Sequence, residues 1–138
     1  MIIAYFDGIC APINPNGSGA FGCLIKLNNR IILKKGFFIG SGIGMSNNVS
    51  EYAGFIYLLR FLKSNNLARE NILIRGDSKM VIEQMKGKWK IKKGLYKNKA
   101  LEARELVRTF NNLKLEWIPR EKNMICDELA EKVILDKN

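Results

Sequence analysis

The sequence contains no histidine. This absence removes the usual general base of hydrolases, the commonest metal ligand and the side chain that titrates near neutral pH. It excludes Ser-His-Asp and Cys-His triads and every zinc site that needs a histidine. Hydrolytic chemistry in this chain must therefore rest on carboxylates, on a lone cysteine or lysine, or on a metal ion held by carboxylates.

Cysteine is scarce, and the three residues Cys10, Cys23 and Cys126 stand apart from one another without a CxxC pair. A zinc cluster needs a fourth ligand, and an odd number argues against the disulfide framework of a secreted domain. We expect reduced thiols in a cytoplasmic protein. A disulfide between Cys10 and Cys23 stays an open alternative, because the two fall on adjacent predicted strands.

Long apolar runs are also missing. Met1–Phe6 is apolar, but Asp7 interrupts it, and no segment approaches the roughly 18 apolar residues of a membrane helix. The start of the chain also lacks the basic region and long apolar run of a signal peptide. The sequence therefore predicts neither a signal peptide nor a membrane span.

Acidic residues are outnumbered, with 13 Asp and Glu against 23 Lys and Arg, which gives a net charge of +10. Such an excess on 138 residues predicts a polyanionic partner, either nucleic acid or an anionic membrane surface. A membrane-surface helix would carry lysine on one face and large apolar residues on the other. Leu95–Phe110 has acids on its polar side, so the pattern favours nucleic acid.

Hydrophobic periodicity predicts a mixed α/β fold, and no repeat or shift in composition divides the chain, so we expect one domain over residues 1–138. Turn signals join the first three strands into an antiparallel meander, and the fourth strand is expected to be central and parallel. The predicted strands are Met1–Cys10, Ala20–Leu27, Arg30–Ile39, Asn71–Arg75 and Leu113–Pro119. The predicted helices are Asn47–Ser64, a helix capped by Asp77-Ser78 that runs to Met85, Leu95–Phe110 and Asn123–Leu135.

Carboxylates stand at strand ends and helix starts. Asp7 interrupts an apolar strand, and Asp77 follows another, so the two lie side by side if those strands are neighbours. Like charges at that distance repel unless a divalent cation lies between them. Glu51 and Asp127 are each expected in the first turn of a helix, where an acid can also serve simply as a cap. Hard oxygen ligands suit Mg²⁺ or Mn²⁺, which support phosphodiester cleavage without histidine.

Four motifs of the chain resemble those of type 1 ribonucleases H, in family order and over almost the whole sequence. The motifs are Tyr5-Phe6-Asp7-Gly8 with Asn14-Pro15 and the glycine-rich run Gly17–Gly22, then Asn47–Tyr52, Gly76-Asp77-Ser78 and Cys126–Ala130. The resemblance implies a five-stranded mixed sheet with helices on both faces. It also implies that four carboxylates, Asp7, Glu51, Asp77 and Asp127, bind Mg²⁺, with Mn²⁺ as a substitute.

The implied activity is cleavage of the RNA strand of an RNA–DNA hybrid by two-metal-ion catalysis, leaving 5′-phosphate and 3′-hydroxyl ends. Double-stranded RNA is a second candidate partner, and we expect a monomer. By the same resemblance, Asn14 with Asn47 or Asn48 would read 2′-hydroxyls in the minor groove. Ser78 would contact a DNA phosphate or merely cap its helix, and Asn14 is open to the alternative of a plain turn residue.

The lysine-rich segment after Met85 carries the remaining predicted nucleic-acid contacts. The resemblance implies that Trp89 stacks on a DNA sugar, whereas the simpler alternative is a half-buried packing tryptophan. Lysines there bind phosphates without reading sequence, or form only a solvated face. The predicted basic contacts are Lys79, Lys86, Lys88 and Lys90.

Two departures from the family pattern are visible. Many members carry a histidine in the loop before the last helix, and this chain has none. Arg120 lies near that loop. It either contacts the scissile phosphate or is a simple surface arginine. The lysine-rich segment is shorter than the basic protrusion of some members, and no hybrid-binding domain is apparent. The chain thus resembles the compact, archaeal-type subgroup.

Two alternative functions remain open from the sequence. The same fold carries transposases and junction resolvases, which act on DNA. A non-catalytic nucleic-acid-binding module would be expected to have lost one or more of the four carboxylates, and this chain keeps all four.

Overall fold

The computed structural model describes residues 1–137, and its strands form one five-stranded sheet. The strands are β1 (Ile2–Ala11), β2 (Ser18–Leu27), β3 (Arg30–Ser41), β4 (Asn71–Gly76) and β5 (Asn112–Trp117). The helices are α1 (Asn47–Ser64), α2 (Lys79–Met85), α3 (Lys97–Val107) and α4 (Met124–Lys137), with a 3-10 turn at Arg120–Lys122. The sheet order is β3-β2-β1-β4-β5. β1, β2 and β3 pair antiparallel, whereas β4 and β5 run parallel to β1, so the predicted mixed sheet is confirmed.

Helices cover both faces of the sheet, because consecutive residues of a strand point to opposite sides. On β2, a Cβ atom at Gly22 would lie 2.2 Å from the carbonyl oxygen of Cys126 in α4. The next residue, Cys23, instead directs its thiol to the carbonyl of Gly54 in α1, at 3.6 Å. α1 and α4 therefore pack on opposite faces, as predicted.

The main core lies between the sheet and α1. Phe6, Tyr52, Phe55 and Leu59 are fully buried there, and the rings of Phe6 and Phe55 are 5.4 Å apart. Burial of each such side chain stabilises the fold by about 1.5–3 kcal/mol. This packing fixes α1 against β1, the strand that carries Asp7.

Some expectations from the sequence need correction. α3 begins at Lys97 rather than Leu95, and Leu95 is exposed, so it contributes no core-facing position. All three cysteines are free thiols, and the disulfide alternative is wrong. Among the residues that the structure describes, no helix has both the length and the apolar character needed to cross a membrane.

Candidate active site

The parallel pairing of β1 with β4 brings two aspartates together. Phe6 pairs with Gly76 in the register, so Asp7 and Asp77, which follow them, stand at the same edge of the sheet. Asp7 is only 4% exposed, and Asp77 is half-buried. The side-by-side arrangement expected for these two aspartates is therefore present.

Glu51 reaches the same place because α1 lies against β1 without an intervening side chain. A Cβ atom at Gly8 would come within 2.3 Å of the backbone nitrogen of Glu51, so only glycine allows this approach. The helix is capped by Ser46, whose hydroxyl accepts from the backbone N–H of Val49 at 3.1 Å. Glu51 lies beyond the first turn, so both its expected position and the capping alternative were wrong.

Asp127 lies in the first turn of α4, as expected. The start of this helix is tied to the sheet by Asn123, a buried residue that the sequence pattern did not single out. Its side-chain amide donates to the carbonyl of Phe6 at 2.8 Å and lies 3.5 Å from Oδ2 of Asp77. One amide thus joins β1, β4 and the approach to α4.

The four carboxylates line one open cleft of about 450 Å³. Oxygens of Asp7, Glu51 and Asp77 all lie within 4.8 Å of one another. Asp127 lines the cleft outside that tight group, together with Arg120 and Glu131. A concave site with converging carboxylates fits the binding of cations better than the binding of an apolar ligand.

Burial and mutual repulsion change the acidity of this cluster. Burial, reinforced by the charge of Asp77, raises the pKa of Asp7 to about 8. Burial and the charge of Asp7 likewise raise the pKa of Glu51 well above its usual value. The pKa of Asp77 is raised by burial, although the Asn123 amide and the Arg120 charge oppose the rise. In its fully ionised form the cluster would therefore hold more negative charge than its surroundings stabilise.

The buried oxygens of the site indicate what would relieve this charge. Within residues 1–137, Oε2 of Glu51 and Oδ1 of Asp127 are buried without a hydrogen-bond donor. Such atoms cost free energy unless a donor or a cation satisfies them. Hard carboxylate oxygens without nitrogen or sulfur ligands suit Mg²⁺ or Mn²⁺. The donor set therefore fits a divalent cation.

The rim of the cleft carries one basic side chain. Arg120 is 72% exposed, and its Nη2 lies 3.9 Å from Oδ1 of Asp127, too far for a hydrogen bond. Glu131 sits one turn further along α4 than Asp127 and lines the same cleft. The i to i+4 spacing of these two acids was visible in the sequence, but only the packing of α4 shows that both face the cleft.

Comparison with known proteins identifies the family. The family model described as reverse transcriptase-like matches residues 6–133. The chain belongs to the reverse transcriptase-like family.

Relatives within this family support the predicted subgroup. Ribonuclease HI of Halobacterium salinarum is 30% identical over 133 residues, which are 96% of this chain and 64% of that protein. The crystal structure of RNase H1 from this halophilic archaeon matches with a TM-score of 0.84 over 98% of both chains. LC11-RNase H1, solved in complex with an RNA/DNA hybrid, is 29% identical, with a TM-score of 0.84 over 96% and 95% of the two chains. The predicted resemblance to type 1 ribonucleases H and their fold is confirmed.

One further match covers a shorter part of the chain. A bifunctional protein of Mycobacterium tuberculosis is 36% identical over 85 residues, which make up 62% of this chain and 23% of that protein. The chain thus spans about a quarter of that relative and slightly less than two thirds of the Halobacterium ribonuclease.

In this reverse transcriptase-like chain, the predicted asparagines border the carboxylates. Asn14 lies in the loop after β1, and its Oδ1 accepts the backbone N–H of Asn47 at 3.0 Å. Asn47 lines the cleft, and Asn48 beside it is exposed. Asn14 therefore joins the β1–β2 loop to the start of α1, rather than serving only as a turn residue.

Two further expected contacts lie at the start of α2. Ser78 caps this helix, with its hydroxyl accepting from the backbone N–H of Val81 at 3.3 Å. The ammonium group of Lys79 lies 5.8 Å from the ring centre of Trp117. Trp117 was not predicted as part of the site, yet its indole N–H donates to the carbonyl of Asp77 at 3.1 Å. It therefore helps to hold the turn that carries this aspartate.

The remaining predicted contacts lie in the segment between α2 and α3, residues 86–96, which we call the lysine connector. Lys86, Lys88, Trp89 and Lys90 are all exposed. Trp89 is 47% exposed and borders a second cleft of about 540 Å³, with Arg104 of α3 on its wall. These side chains do not line the carboxylate cleft.

Proposed function

We propose that this protein is an endoribonuclease that hydrolyses the RNA strand of RNA–DNA hybrids and leaves 5′-phosphate and 3′-hydroxyl ends. The observation that carries the proposal is the convergence of four carboxylates from β1, α1, the β4–α2 turn and α4 on one cleft. The likeness to RNase H1 structures, one of them solved with an RNA/DNA hybrid, supports the substrate class. The net charge of +10 is consistent with a polyanionic substrate.

Asp7, Glu51, Asp77 and Asp127 would hold the divalent cations, Mg²⁺ by preference and Mn²⁺ as a substitute. Bound cations at such a site stabilise the negative charge that develops on a phosphate under attack. Asp7 would be the central member of the ligand set, because it is buried and interacts with each of the other three carboxylates. Asn123 and Trp117 keep the turn that carries Asp77 in place.

The asparagines would recognise the RNA strand. Oδ1 of Asn14 is already engaged by the backbone of Asn47, which leaves the amide N–H groups of Asn14 to donate to a 2′-hydroxyl. Asn47 lines the cleft, and Asn48, next to it in the chain, is exposed. Contacts to 2′-hydroxyls distinguish RNA from DNA, so this cluster would select the strand that is cut.

Basic residues would hold the phosphates. Arg120 at the rim would contact the scissile phosphate, where an arginine stabilises charge without transferring a proton. Ser78 and Lys79 would contact the DNA strand from the start of α2. Lys86, Lys88 and Lys90 would bind phosphates, while Trp89 stacks on the DNA strand.

Cleavage of a 5′-labelled RNA strand in a hybrid tests the proposal. The reaction is run with Mg²⁺, with Mn²⁺ and with EDTA, beside duplex RNA, duplex DNA and a four-way junction. We expect metal-dependent cutting of the hybrid RNA, lost in Asp77→Asn and kept in Asp136→Asn, which changes an exposed aspartate near the end of α4. Cutting of DNA alone would support a resolvase-like or transposase-like nuclease instead. Salt-sensitive binding without cutting would support a non-catalytic module.

A further inference from the structure

The lysine connector has an unusual combination of properties. Residues 86–96 form neither helix nor strand and contain five lysines and no acid. Most of the segment is exposed, so repulsion between its lysines would favour a mobile loop. It is nevertheless bordered by two buried polar residues, Gln84 before it and Tyr96 at its end.

Gln84 and Tyr96 belong to a hydrogen-bond network with Tyr52 of α1. The Tyr52 hydroxyl donates to Oε1 of Gln84 at 2.6 Å. Nε2 of Gln84 donates to the carbonyl of Lys90 at 2.9 Å and to the Tyr96 hydroxyl at 3.2 Å. The Tyr96 hydroxyl also accepts the backbone N–H of Lys92 at 3.2 Å. Buried polar networks with all members paired are rigid and specify one conformation.

The network and the carbonyl of Glu83 together bind the backbone of the connector, and the lysine side chains remain exposed. Lys90 and Lys92 are held by Gln84 and Tyr96, as described. The backbone N–H groups of Lys88 and Trp89 both donate to the carbonyl of Glu83, at 2.9 and 3.1 Å. The backbone is thus fixed at four nearby positions.

The same network is attached to the carboxylate site. Tyr52 follows Glu51 in α1, and Gln84 lies in α2, the helix that begins directly after the Asp77-Ser78 turn. The rings of Tyr52 and Tyr96 stack at 5.8 Å with an angle of 5° between their planes. The connector therefore has a set position relative to two of the four carboxylates.

We propose that Gln84 and Tyr96 are positioning residues that, together with the Glu83 carbonyl, hold the connector so that Lys88, Trp89 and Lys90 form a preformed contact surface for the DNA strand of the hybrid. The proposal rests on the proposed function for the identity of the ligand. A surface that is ordered before binding loses less conformational entropy when it binds, so its affinity is higher. The positioning residues touch neither nucleic acid nor metal.

Fluorescence of Trp89 tests the anchoring without any substrate. Trp89 and Trp117 are the only tryptophans, so Trp117→Phe leaves Trp89 as the sole reporter. In this background we expect Tyr96→Phe to raise the acrylamide quenching constant about twofold, as a side chain that is 47% exposed becomes fully exposed. The matched control is Tyr57→Phe, which removes a hydroxyl of α1 that belongs to none of the network's bonds. Equal quenching in both variants would overturn the anchoring.

Hybrid binding without divalent metal, followed by fluorescence anisotropy, tests the consequence. Tyr96→Phe removes two bonds of the network and Gln84→Met removes three. We expect both variants to weaken binding about 3- to 10-fold, the range for lost preorganisation. In cleavage assays KM should rise by a similar factor, while kcat changes less than twofold. If Gln84→Met does not fold, the test relies on Tyr96→Phe, because phenylalanine keeps the ring that stacks on Tyr52.

The outcomes separate this inference from the proposed function. Increased quenching with unchanged hybrid affinity would overturn the role of the connector in binding. A fall in kcat with unchanged KM would overturn it as well. A wild-type protein that binds no hybrid would refute the proposed function and the binding role together, whereas the quenching comparison would still decide the anchoring.

Discussion

The side-chain amide of Asn123 donates a hydrogen bond to the backbone carbonyl of Phe6 at 2.8 Å. Asn123 directly precedes α4, and Phe6 directly precedes Asp7, so this bond fixes the helix of Asp127 next to the strand of Asp7. The same amide nitrogen lies 3.5 Å from Asp77. One buried side chain thereby sets the relative positions of three of the four carboxylates.

Asn123→Ala should weaken both the fold and the site. The Phe6 carbonyl loses its donor in a buried setting, which costs about 1–3 kcal/mol of the free energy of unfolding. Metal affinity should fall about 10- to 100-fold, as for other residues that orient metal ligands. Urea unfolding and Mn²⁺ titration measure the two effects. Asn111→Ala, at an exposed position, is the control, and equal behaviour of both variants would contradict the orienting role.

Asp7→Asn should stabilise the metal-free protein at alkaline pH. The raised pKa of Asp7 means that the folded state keeps a proton that the unfolded chain releases near pH 4. The free energy of unfolding of the wild type therefore falls as the pH rises from about 4 to about 8. The variant does not show this fall, because asparagine does not titrate in this range. We expect an advantage near zero at pH 4 that grows to on the order of 2 kcal/mol or more by pH 9, since one pKa unit is about 1.4 kcal/mol.

Urea unfolding in EDTA across this pH range measures the difference. Asp136→Asn serves as the control, because its carboxylate is exposed and lies outside the cluster. A constant difference between Asp7→Asn and the wild type at all pH values would show that burial does not raise the pKa of Asp7 as inferred.

Glu51→Gln should abolish most activity without unfolding the protein. Glutamine keeps the shape of the side chain, and Oε2 of Glu51 has no hydrogen-bond donor to lose among the described residues. Hybrid cleavage should fall about 100-fold, the scale of losing one charged group at such a centre. Glu128→Gln, an exposed change on α4, should leave cleavage unchanged. Full activity in Glu51→Gln would remove this residue from the proposed site.

Divalent metal should raise the melting temperature of the wild-type protein. A cation that binds only the folded state adds about 2.7 kcal/mol at 100 times its Kd. The increase should be larger at pH 8 than at pH 6, because ligand oxygens must first lose protons whose pKa is raised. Thermal unfolding with Mn²⁺ or Mg²⁺ measures it. An equal increase in Asp77→Asn would point to binding elsewhere.

Arg120→Ala should lower kcat about 10-fold, whereas Arg120→Lys should retain most of the activity, because a charge near the phosphate is what the mechanism requires. The exposed Arg69→Ala variant controls for a general loss of positive charge. Single-turnover cleavage separates this effect from product release. Unchanged cleavage rates in Arg120→Ala would favour the alternative that Arg120 is a surface arginine with no role in cleavage.

Much of the fold followed from sequence because the elements have clear periodicity. A helix from Asn47 to about Ser64 was predicted and α1 has this range, since its apolar positions recur at helical spacing and Asn65 follows it. The ends of α3 were less clear, because Leu95 has the apolar character of a helix position without being packed. Local pattern reports side-chain type, and only tertiary packing decides which apolar residues are covered.

Some site residues could be predicted from the sequence, and others could be found only in the structure. The carboxylates stood out because a charge at the end of an apolar strand is costly without a partner. Asn123 and Trp117 gave no such signal, because both act through bonds to backbone carbonyls of residues distant in sequence. The first-turn expectation for Glu51 was wrong because Glu51 is the fifth residue of a helix that begins at Asn47, so it lies in the second turn, and Ser46 caps the helix.

The four carboxylates come from the first strand, the first helix, the fourth strand's end and the last helix. Only a segment that runs from Asp7 to Asp127 contains all four. The close contact of Gly8 with α1 likewise forms only when segments distant in sequence meet. During synthesis on a ribosome, the fourth carboxylate joins the others only after α4 has left the exit tunnel and docked. A nascent chain thus passes through every earlier stage of its growth with an incomplete carboxylate cluster, so the proposed cleavage of nucleic acid would begin only with the finished fold.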